Sequence, residues 1–544
     1  MTGMRAIRIG NCSGAGGDGP DQLYRFATEG VVLVPIRILT RTTPTRKEEN
    51  PELGYEKGFL AHLNYMDAAE IIAQKGIKIV HDGGALNPYG LYMATKELLE
   101  SKGLGDVKVA WVDGDNVTAE VQAAQKAGTA ELFPHLDIDG QDLSALENRV
   151  VSANAYIGAK GIVAALSAGA QIVICGRCCD ASPVIGLASW WHRWSDIDDD
   201  RLAGSLIAGH LTECGPYTTG GKFCFLNSIG LQNPRAILNP DVVAHRKDIR
   251  IEHDATNRAR VTGVKGSPPP PTTKLAVCSF GGCQAEMSTF AVGLDIKEKV
   301  ELQRKQILDS LDQSRFSNIA IDAYGSVPDD PMSQKETTVI MRHFVQAPTK
   351  EAIGQFTEAF IFCAIQGYGG FYPNMDLRAL APKPYIRYFP ARYQQSALKW
   401  SLSRKLHYSR ARHPTSLLIR LILQSFGPTR RAPLGSIALA RSGDKGDNAN
   451  VGLWVRSEDE WDWLRSFLST LSLKKLLGDD YRPEYRVERF ELPHLHAVHF
   501  VTYGVLQEGV SSSSIIDRFS KSFGEFVRVR QVDIPVRFLD WPWV

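Results

Sequence analysis

The sequence lacks an excess of charge of either sign and any long apolar segment. Its 62 Lys and Arg residues stand against 60 Asp and Glu residues, a net charge of +2, so no overall field attracts nucleic acid or anionic lipid. No uninterrupted apolar run approaches the roughly 18 residues that a membrane-spanning helix needs. The nine cysteines are an odd number and no signal peptide opens the chain, which is typical of reduced thiols in the cytosol. We therefore expect a cytoplasmic protein without nucleic-acid or membrane partners.

The well-known catalytic and cofactor motifs are also missing. The chain has no Gly-Lys-Ser/Thr phosphate loop, no Gly-x-Ser-x-Gly, no kinase motif set and no His-Glu-x-x-His, which disfavours the enzyme classes that depend on them. Cys175, Cys178 and Cys179 resemble half of a zinc site, but no second pair with matching spacing follows. Asp18 and Asp21 would repel a dinucleotide. We expect neither a resident metal nor a cofactor.

The first half of the chain repeats one pattern: a short β-branched run, a Gly-rich polar turn and a segment with helical periodicity. Such strands, apolar on both faces and alternating with helices, are typical of a parallel sheet covered by helices. Ligands bind outside the carboxyl ends of such strands, so we expect the turns to share one rim. The four expected strands are residues 5–10, 77–80, 107–112 and 171–176.

Residues 260–390 change to the order βαββαβ, which is the ferredoxin-like pattern. The expected strands are residues 274–280, 318–324, 337–345 and 385–389, with helices beginning near Asp295 and Thr349.

A basic stretch follows, with eleven Lys or Arg and no acidic residue between Lys383 and Arg431. It is either a polybasic arm or a solvated linker, and its sparse aromatic residues favour the linker. We therefore expect an α/β domain at 1–395, with a parallel-sheet part at 1–250, then a linker at 396–432 and a separate α+β domain at 433–544. In that last domain Ser457 and Glu460 form a capping-box pair ahead of an apolar stripe of Trp461, Leu464, Leu468 and Leu471.

The turn after the first strand is rich in small residues with free backbone N–H groups, close to the start of a helix. Such a turn either cradles a phosphate or carboxylate or is a bare tight turn. Asn154 and Tyr156 are expected to open a helix, where the amide would orient a carbonyl or act as a cap. The candidate substrate-binding residues are Asn11, Ser13, Gly14, Gly16, Asp18, Gly83, Gly84, Asn87, Asn154, Arg177 and Ser182.

Three residues are candidates for catalysis: Asp180, His210 and Glu213. Arg177 and Asp180 follow a buried strand, where they would supply a cation and an acid/base group, or form an ion pair with each other. His210 and Glu213 lie one helical turn apart and so on one helix face. That face is either an acid/base or metal-binding pair or a capped helix end.

The C-terminal domain contains a second polar turn within residues 441–450. Arg441, Asp444, Lys445 and Asp447 in this turn either complete the active site or form a charged turn between two strands. Gly443 and Gly446 beside Asp and Asn are ordinary turn chemistry, which favours the second interpretation.

These motifs, taken together, resemble the acyclic terpene utilisation (AtuA) family. Residues 441–450 resemble the signature of the ferredoxin-fold AtuA-like domain that commonly follows it. The resemblance spans nearly the whole chain apart from the basic linker. The matching segments of the first domain are residues 9–18, 83–88, 174–177, 180–182, 239–242, 261–264, 269–274 and 382–385.

The resemblance implies an enzyme of citronellol- or geraniol-type terpene breakdown, where branched acyl-CoA thioesters are hydrated and cleaved. We expect a homo-oligomeric lyase or hydratase of a small branched, carboxylate-bearing substrate, with residues 11–19 and Arg177 holding the anion. Two segments depart from the family pattern, residues 31–47 and 223–238. The alternatives are a non-catalytic or degenerate member that acts in binding or assembly, and a tailoring enzyme acting on a free terpenoid or polyketide acid.

Overall fold

Residues described by the computed structural model fall into two units according to their internal contacts. The first unit comprises 1–277, 388–510 and 519–544, and the second comprises 278–387 and 511–518. The described residues are 5–12, 19–29, 32–34, 54–213, 236–246, 248–255, 258–374, 376–398, 423–507, 509–510 and 512–539. The candidate residues Ser13, Gly14, Gly16 and Asp18, most of both atypical segments and most of the basic linker lie outside these ranges.

The first unit contains the parallel sheet that the sequence predicts. Its strands are β1 (Ile9–Asn11), β2 (Val32–Val34), β3 (Ile79–His81), β4 (Val109–Val112) and, after β5 (Val150–Ala155), β6 (Ile172–Cys175). The order across the sheet is β1-β2-β3-β6-β4, with every pair parallel. The fold class predicted for this part of the chain is therefore confirmed.

Helices cover both faces of this sheet. The helices are α1 (Asp21–Glu29), α2 (Gly58–Asn64), α3 (Ala68–Lys75), α4 (Pro88–Ser101), α5 (Thr118–Ala127), α6 (Lys160–Ser167), α7 (Ser182–His192) and α8 (Asp199–Thr212). On one face Val173 packs in a core with Ile162 and Leu187, and on the other Ile172 packs with Leu63. Alternate residues of one strand thus enter two cores, which explains its continuous apolar run.

Short strands follow α8 in the described residues 236–267 of this unit. They are β7 (Ala236–Leu238), β8 (Val243–His245), β9 (Arg250–Ala255), β10 (Arg258–Thr262) and β11 (Lys265–Ser267). They form a β11-β8-β7 sheet and a β9–β10 hairpin.

The predicted helix opening at Asn154 is wrong. Asn154 lies in β5, which ends at Ala155, and the next helix begins at Lys160. The backbone continues in extended form because it pairs with the strand at Lys274, whose carbonyl accepts the Tyr156 N–H at 2.9 Å. Strand pairing therefore overrides the local capping preference of Asn.

The predicted βαββαβ order is confirmed apart from one short additional strand before the last. Its elements are β12 (Thr272–Val292), α9 (Ile296–Asp309), β13 (Asn318–Tyr324), β14 (Thr338–Ala347), α10 (Lys350–Ile365), the short β15 (Tyr372–Pro373) and β16 (Lys383–Gln394). The strands pair in the order β13-β14-β12 with β16 also beside β12. The first strand is far longer than predicted and runs from the first unit into the second.

A segment from the C-terminal region completes the second unit. Arg342, which is 3% exposed, bonds both carboxylate oxygens of Glu286 at 2.9 Å and donates to the Ser514 carbonyl at 2.6 Å. Gln346 donates to the Ser512 carbonyl at 2.8 Å. Residues 511–518 are thereby fixed to β14 by side chains that this strand buries.

The C-terminal domain is an antiparallel α+β structure. Its elements are β17 (Thr429–Pro433), β18 (Leu439–Lys445), β19 (Asn448–Trp454), α11 (Glu458–Phe467), α12 (Thr470–Leu477), β20 (Val487–Leu492), β21 (Ala497–Thr502), α13 (Phe523–Val529), β22 (Gln531–Pro535) and α14 (Val536–Leu539). The main sheet has the order β18-β19-β21-β20.

The start of α11 agrees with its prediction, whereas the predicted apolar stripe is wrong at its end. Ser457 and Glu460 form the expected capping box. Leu471 is 61% exposed, because α11 ends at Phe467 and Leu471 belongs to the next helix. None of the described helices, here or elsewhere, is long and apolar enough to cross a bilayer.

Two glycines of α8 provide a matched test of its packing. A Cβ on Gly209 would lie 2.8 Å from the Cβ of Ala181, whereas a Cβ on Gly204 would meet nothing within 4 Å. Gly209→Ala should therefore destabilise the protein by about 1–3 kcal/mol through overpacking. Gly204→Ala should stabilise it by about 0.5–1 kcal/mol, since alanine favours the helix. Thermal unfolding measures both, and equal midpoints would contradict the packing described.

Candidate functional site

Loops at the carboxyl ends of three parallel strands lie together, as the sequence predicts. The Gly84 N–H, after β3, donates to the Cys175 carbonyl at the end of β6 at 3.0 Å. The Arg177 N–H, after β6, donates to Asp115 Oδ2 after β4 at 2.9 Å. The shared rim is where a sheet of this type binds ligands.

Asp115 is the centre of this rim. Its buried Oδ2 also accepts a hydrogen bond from Asn154 Nδ2 at 2.8 Å. Gly176 makes the approach possible, because a Cβ there would lie 2.5 Å from Asp115 Oδ1. Burial raises the pKa of Asp115, although the bonds from Arg177 and Asn154 oppose the rise. Asn154 therefore positions a carboxylate, and the carboxylate fixes the start of the loop that carries Arg177.

Two cations share the ring of Tyr156, just after β5. The guanidinium carbon of Arg177 lies 5.0 Å from the ring centroid, and Lys274 Nζ lies 5.7 Å from it. Lys274 Nζ also lies 5.4 Å from the ring centroid of Tyr388 in β16. We call Tyr156, Arg177, Lys274 and Tyr388 the cationic cluster. All four side chains are partly exposed, so a ligand from solvent can reach them.

The protonation states of the cationic cluster suit an anionic ligand. Burial by itself lowers the pKa of Lys274, but the phenol groups of Tyr388 and Tyr156 and the hydrogen bond to Tyr388 outweigh it and raise the pKa. Burial raises the pKa of Tyr388. At neutral pH the cluster therefore presents an ammonium, a guanidinium and the neutral phenol of Tyr388, which are groups that bind carboxylate or enolate oxygens strongly.

Cys179 lies between Arg177 and Asp180 with φ at +148°, a conformation that side chains rarely adopt and that is often found near functional sites. Burial, together with the charges of Asp180 and Asp241, raises the pKa of its thiol well above the usual value. The thiol is therefore neutral and a poor nucleophile. Among the described residues no group of three or more His, Cys, Asp or Glu side chains is arranged to hold a metal ion.

Asp241 supports the turn next to the cationic cluster. Its buried carboxylate accepts the Ala159 N–H at 2.8 Å, which holds the turn that follows Tyr156. Gly158 in this turn has φ at +75°, and a Cβ there would lie 2.7 Å from Asp241 Oδ2. Burial raises the pKa of Asp241 to about 6.

Several predicted binding residues instead build the rim. Asn87 caps α4 by accepting the Gly90 N–H at 2.9 Å. Gly84 is bonded to β6, and a Cβ on Gly83 would lie 2.4 Å from the His81 imidazole. Ser182 is fully buried and accepts a hydrogen bond from Asn239 Nδ2 at 3.4 Å. These contacts shape the turns, and a direct role of these residues in ligand binding stays a prediction.

The three predicted catalytic residues lie around one helix end. Asn11 Nδ2 donates to the carbonyls of Thr212 and Glu213, both at 2.7 Å, so its amide joins β1 to the end of α8. That helix carries His210, which is partly exposed, and Glu213, which is buried. The close approach of α8 to Ala181 brings its last turn near Asp180. The catalytic assignment of these residues stays a prediction.

The polar turn of the C-terminal domain forms the tip of the β18–β19 hairpin. Arg441 and Lys445 are exposed and Asp444 is partly buried. Gly446, with φ at +71°, lies near the cluster: a Cβ there would lie 3.8 Å from Tyr388 Cε1. Asp447, the other tip residue, therefore follows a residue that lies near the cationic cluster.

Sequence reasoning missed Lys274, Tyr388 and the roles of Asp115 and Asp241. Lys274 and Tyr388 lie on separate strands, and only the pairing of β5, β12 and β16 brings them together. The sequence signal was weak: Lys274 ends the run Pro-Pro-Pro-Pro-Thr-Thr-Lys, and Asp241 follows Asn-Pro. Both segments carry the family resemblance without showing any chemistry of their own.

Two family models match the chain. The model for acyclic terpene utilisation family protein AtuA matches residues 7–234 and 230–403. The model for the AtuA ferredoxin-like domain matches residues 432–533. No match is found among curated proteins.

Asp241→Asn should make stability less dependent on pH. The folded-state pKa of Asp241, about 6, lies above the ordinary 3.8, so the buried charge costs up to about 3 kcal/mol above pH 6. This cost disappears as the pH falls through 6 toward 4. The variant, relative to the unchanged protein, should therefore gain thermal stability near pH 8 and lose that advantage near pH 4.

Asp139→Asn is the matched control, because the Asp139 side chain is fully exposed. Its thermal midpoint should follow that of the unchanged protein at every pH. Parallel pH profiles for Asp241→Asn and the unchanged protein would contradict the burial argument.

Proposed function

The chain belongs to the acyclic terpene utilisation (AtuA) family, and from that premise we propose that it is a metabolic enzyme of branched acyl thioesters or related carboxylates. The reaction we propose is hydration or dehydration, or cleavage of a carbon–carbon bond. The observation that carries the proposal is the cationic cluster, in which Lys274 and Arg177 share the Tyr156 ring at the rim of the parallel sheet.

Both reaction types develop negative charge on the thioester carbonyl oxygen. Hydration of a double bond next to the carbonyl and cleavage of the bond beyond it each pass through an enolate. Preorganised donors around that oxygen lower the barrier, and they act most strongly where water is partly excluded. Lys274 and the Tyr388 hydroxyl would supply such donors.

Arg177 is suited to a second task. Its guanidinium is planar and binds a carboxylate through two parallel hydrogen bonds. Its position is fixed at the backbone by Asp115 and at the side chain by Tyr156. We propose that Arg177 orients an anionic group of the substrate while Lys274 meets the reacting carbonyl.

The proposed chemistry is redox-neutral and needs only the movement of a proton. Asp180, His210 and Glu213 are the sequence-based candidates for this step. The small-molecule substrate would enter from solvent at the partly exposed cluster.

The purified protein should be stabilised against heat by isovaleryl-CoA, used as the simplest branched acyl thioester. A ligand at 100 times its Kd stabilises by about 2.7 kcal/mol. Lys274→Met and Arg177→Met should each weaken this binding by about tenfold to a hundredfold, since each removes a charged hydrogen-bond donor. The same measurement with isovalerate, which lacks the thioester, shows whether the thioester is recognised. Butyryl-CoA, which lacks the branch, shows whether the branch is recognised.

Lys305→Met is the matched control, because Lys305 lies exposed on α9. It should bind isovaleryl-CoA as the unchanged protein does. Absence of a shift with any thioester or free acid on the folded protein would overturn the proposed function and favour a binding or assembly role.

A further inference from the structure

We propose that Asp447, supplied by the hairpin of the C-terminal domain, is the catalytic acid/base group of the cationic cluster. Its carboxylate would take and return the proton at the carbon next to the thioester carbonyl while Lys274 and Tyr388 hold the oxygen. This inference rests on the proposed function and names the residue that moves the proton. It also makes the C-terminal domain part of the active site.

The position of Asp447 is fixed by its backbone. Lys445 and Asn448 pair across the hairpin, so Gly446 and Asp447 form a two-residue turn of the kind that glycine permits. The Asp447 carbonyl accepts the Leu506 N–H at 2.8 Å. These contacts fix the backbone from which the Asp447 side chain extends, and a rigid support of this kind is what a catalytic residue requires.

Asn448, the next residue, anchors the hairpin in two directions. Its Nδ2 donates to Asp137 Oδ2 at 3.1 Å, and its Oδ1 accepts the Gly504 N–H at 3.1 Å. Asp137 belongs to the N-terminal part of the first unit, whereas Gly504 belongs to the C-terminal domain. The hairpin tip is therefore tied to the domain that carries the cluster.

The tip lies beside the cluster itself. A Cβ added to Gly446 would lie 3.8 Å from Tyr388 Cε1, and Lys274 Nζ lies 5.4 Å from the centroid of the Tyr388 ring. The charges that act on the Asp447 carboxylate are those of Asp137 and Lys274. A substrate oxygen held by Lys274 and Tyr388 would thus lie close to the Asp447 carboxylate.

One oxygen of the Asp447 carboxylate can still accept a hydrogen bond. Its Oδ1 is buried and has no hydrogen-bond partner among the described residues. Asp115 and Asp241 differ, since each accepts the backbone N–H of a residue far along the chain, whereas the backbone hydrogen bond of Asp447 is with its own residue. An unsatisfied buried carboxylate oxygen costs stability, and such groups call for an explanation in function.

The acidity of Asp447 also suits proton transfer. Burial and the nearby Asp137 raise its pKa to about 6, although its backbone hydrogen bond and Lys274 oppose the rise. A group with a pKa near the working pH both accepts and donates a proton effectively. At neutral pH it is mostly a carboxylate and ready to act as the base.

The half-reaction balances within the site. The Asp447 carboxylate takes the proton from the carbon next to the carbonyl, and the C–H electron pair forms the double bond of the enolate. The carbonyl electron pair moves to the oxygen held by Lys274 and Tyr388. Return of the proton from the Asp447 carboxylic acid to the same carbon restores the thioester, and no oxidant or reductant takes part.

The test is exchange of hydrogen for deuterium at this carbon of isovaleryl-CoA in D2O, followed by mass spectrometry. Asp447→Asn keeps the size of the side chain and should reduce the exchange rate by at least about a hundredfold. Its affinity for isovaleryl-CoA, measured by thermal shift, should stay within a few fold. Asp533→Asn, an exposed residue of β22, is the control and should exchange normally.

The pH profile separates a proton carrier from a structural residue. Exchange by the unchanged protein should fall as the pH drops below about 6, where Asp447 becomes protonated. The residual exchange of Asp447→Asn should lack this decline, and Asp447→Glu should recover part of the rate. A structural role would change the thermal midpoint and leave the shape of the profile unaltered.

The outcomes distinguish this inference from the proposed function. Unchanged exchange in Asp447→Asn, or binding of isovaleryl-CoA without exchange by the unchanged protein, overturns the role of Asp447 and leaves the substrate class standing. If the unchanged protein neither binds nor exchanges isovaleryl-CoA, the proposed function fails and this inference fails with it.

Discussion

The rim of the parallel sheet depends on one buried carboxylate, that of Asp115. It receives the Arg177 N–H and the Asn154 amide, so it joins the end of β4 to the loop after β6 and to β5. A buried charge is costly unless hydrogen bonds compensate it, and these two donors provide the compensation. The positions of Arg177 and Tyr156, and through them the cationic cluster, follow from this constraint.

The carboxylates of Asp115, Asp241 and Asp447 differ in their hydrogen bonds. Asp115 and Asp241 accept backbone N–H groups and hold the turns around the cluster. Asp447 keeps a buried oxygen without a partner in the described chain. Protonation of Asp115 or Asp241 would weaken a hydrogen bond that joins two distant parts of the chain, whereas the backbone hydrogen bond of Asp447 is with its own residue. This difference separates supporting residues from a reacting one within a single polar region.

The local pattern of the sequence predicts the helices and strands well. It predicts poorly which residues of different strands come into contact. The four parallel strands follow from apolar runs between Gly-rich turns, and the helix start at Thr349 follows from its capping side chain. Asn154 shows the limit, because strand pairing with β12 outweighs its capping preference. Lys274 and Tyr388 could not be paired from the sequence, since the contact depends on strands more than 100 residues apart.

The path of residues 511–518 limits how far the chain can be shortened. This segment belongs to the second unit, although the chain on both sides of it belongs to the first. The buried guanidinium of Arg342 depends on the carbonyl of Ser514 for one of its hydrogen bonds. A gene that lost its 3′ third would leave that donor buried without its acceptor, at a cost in stability. The region matched by the first family model therefore depends on the C-terminal region for the partners of its buried polar side chains.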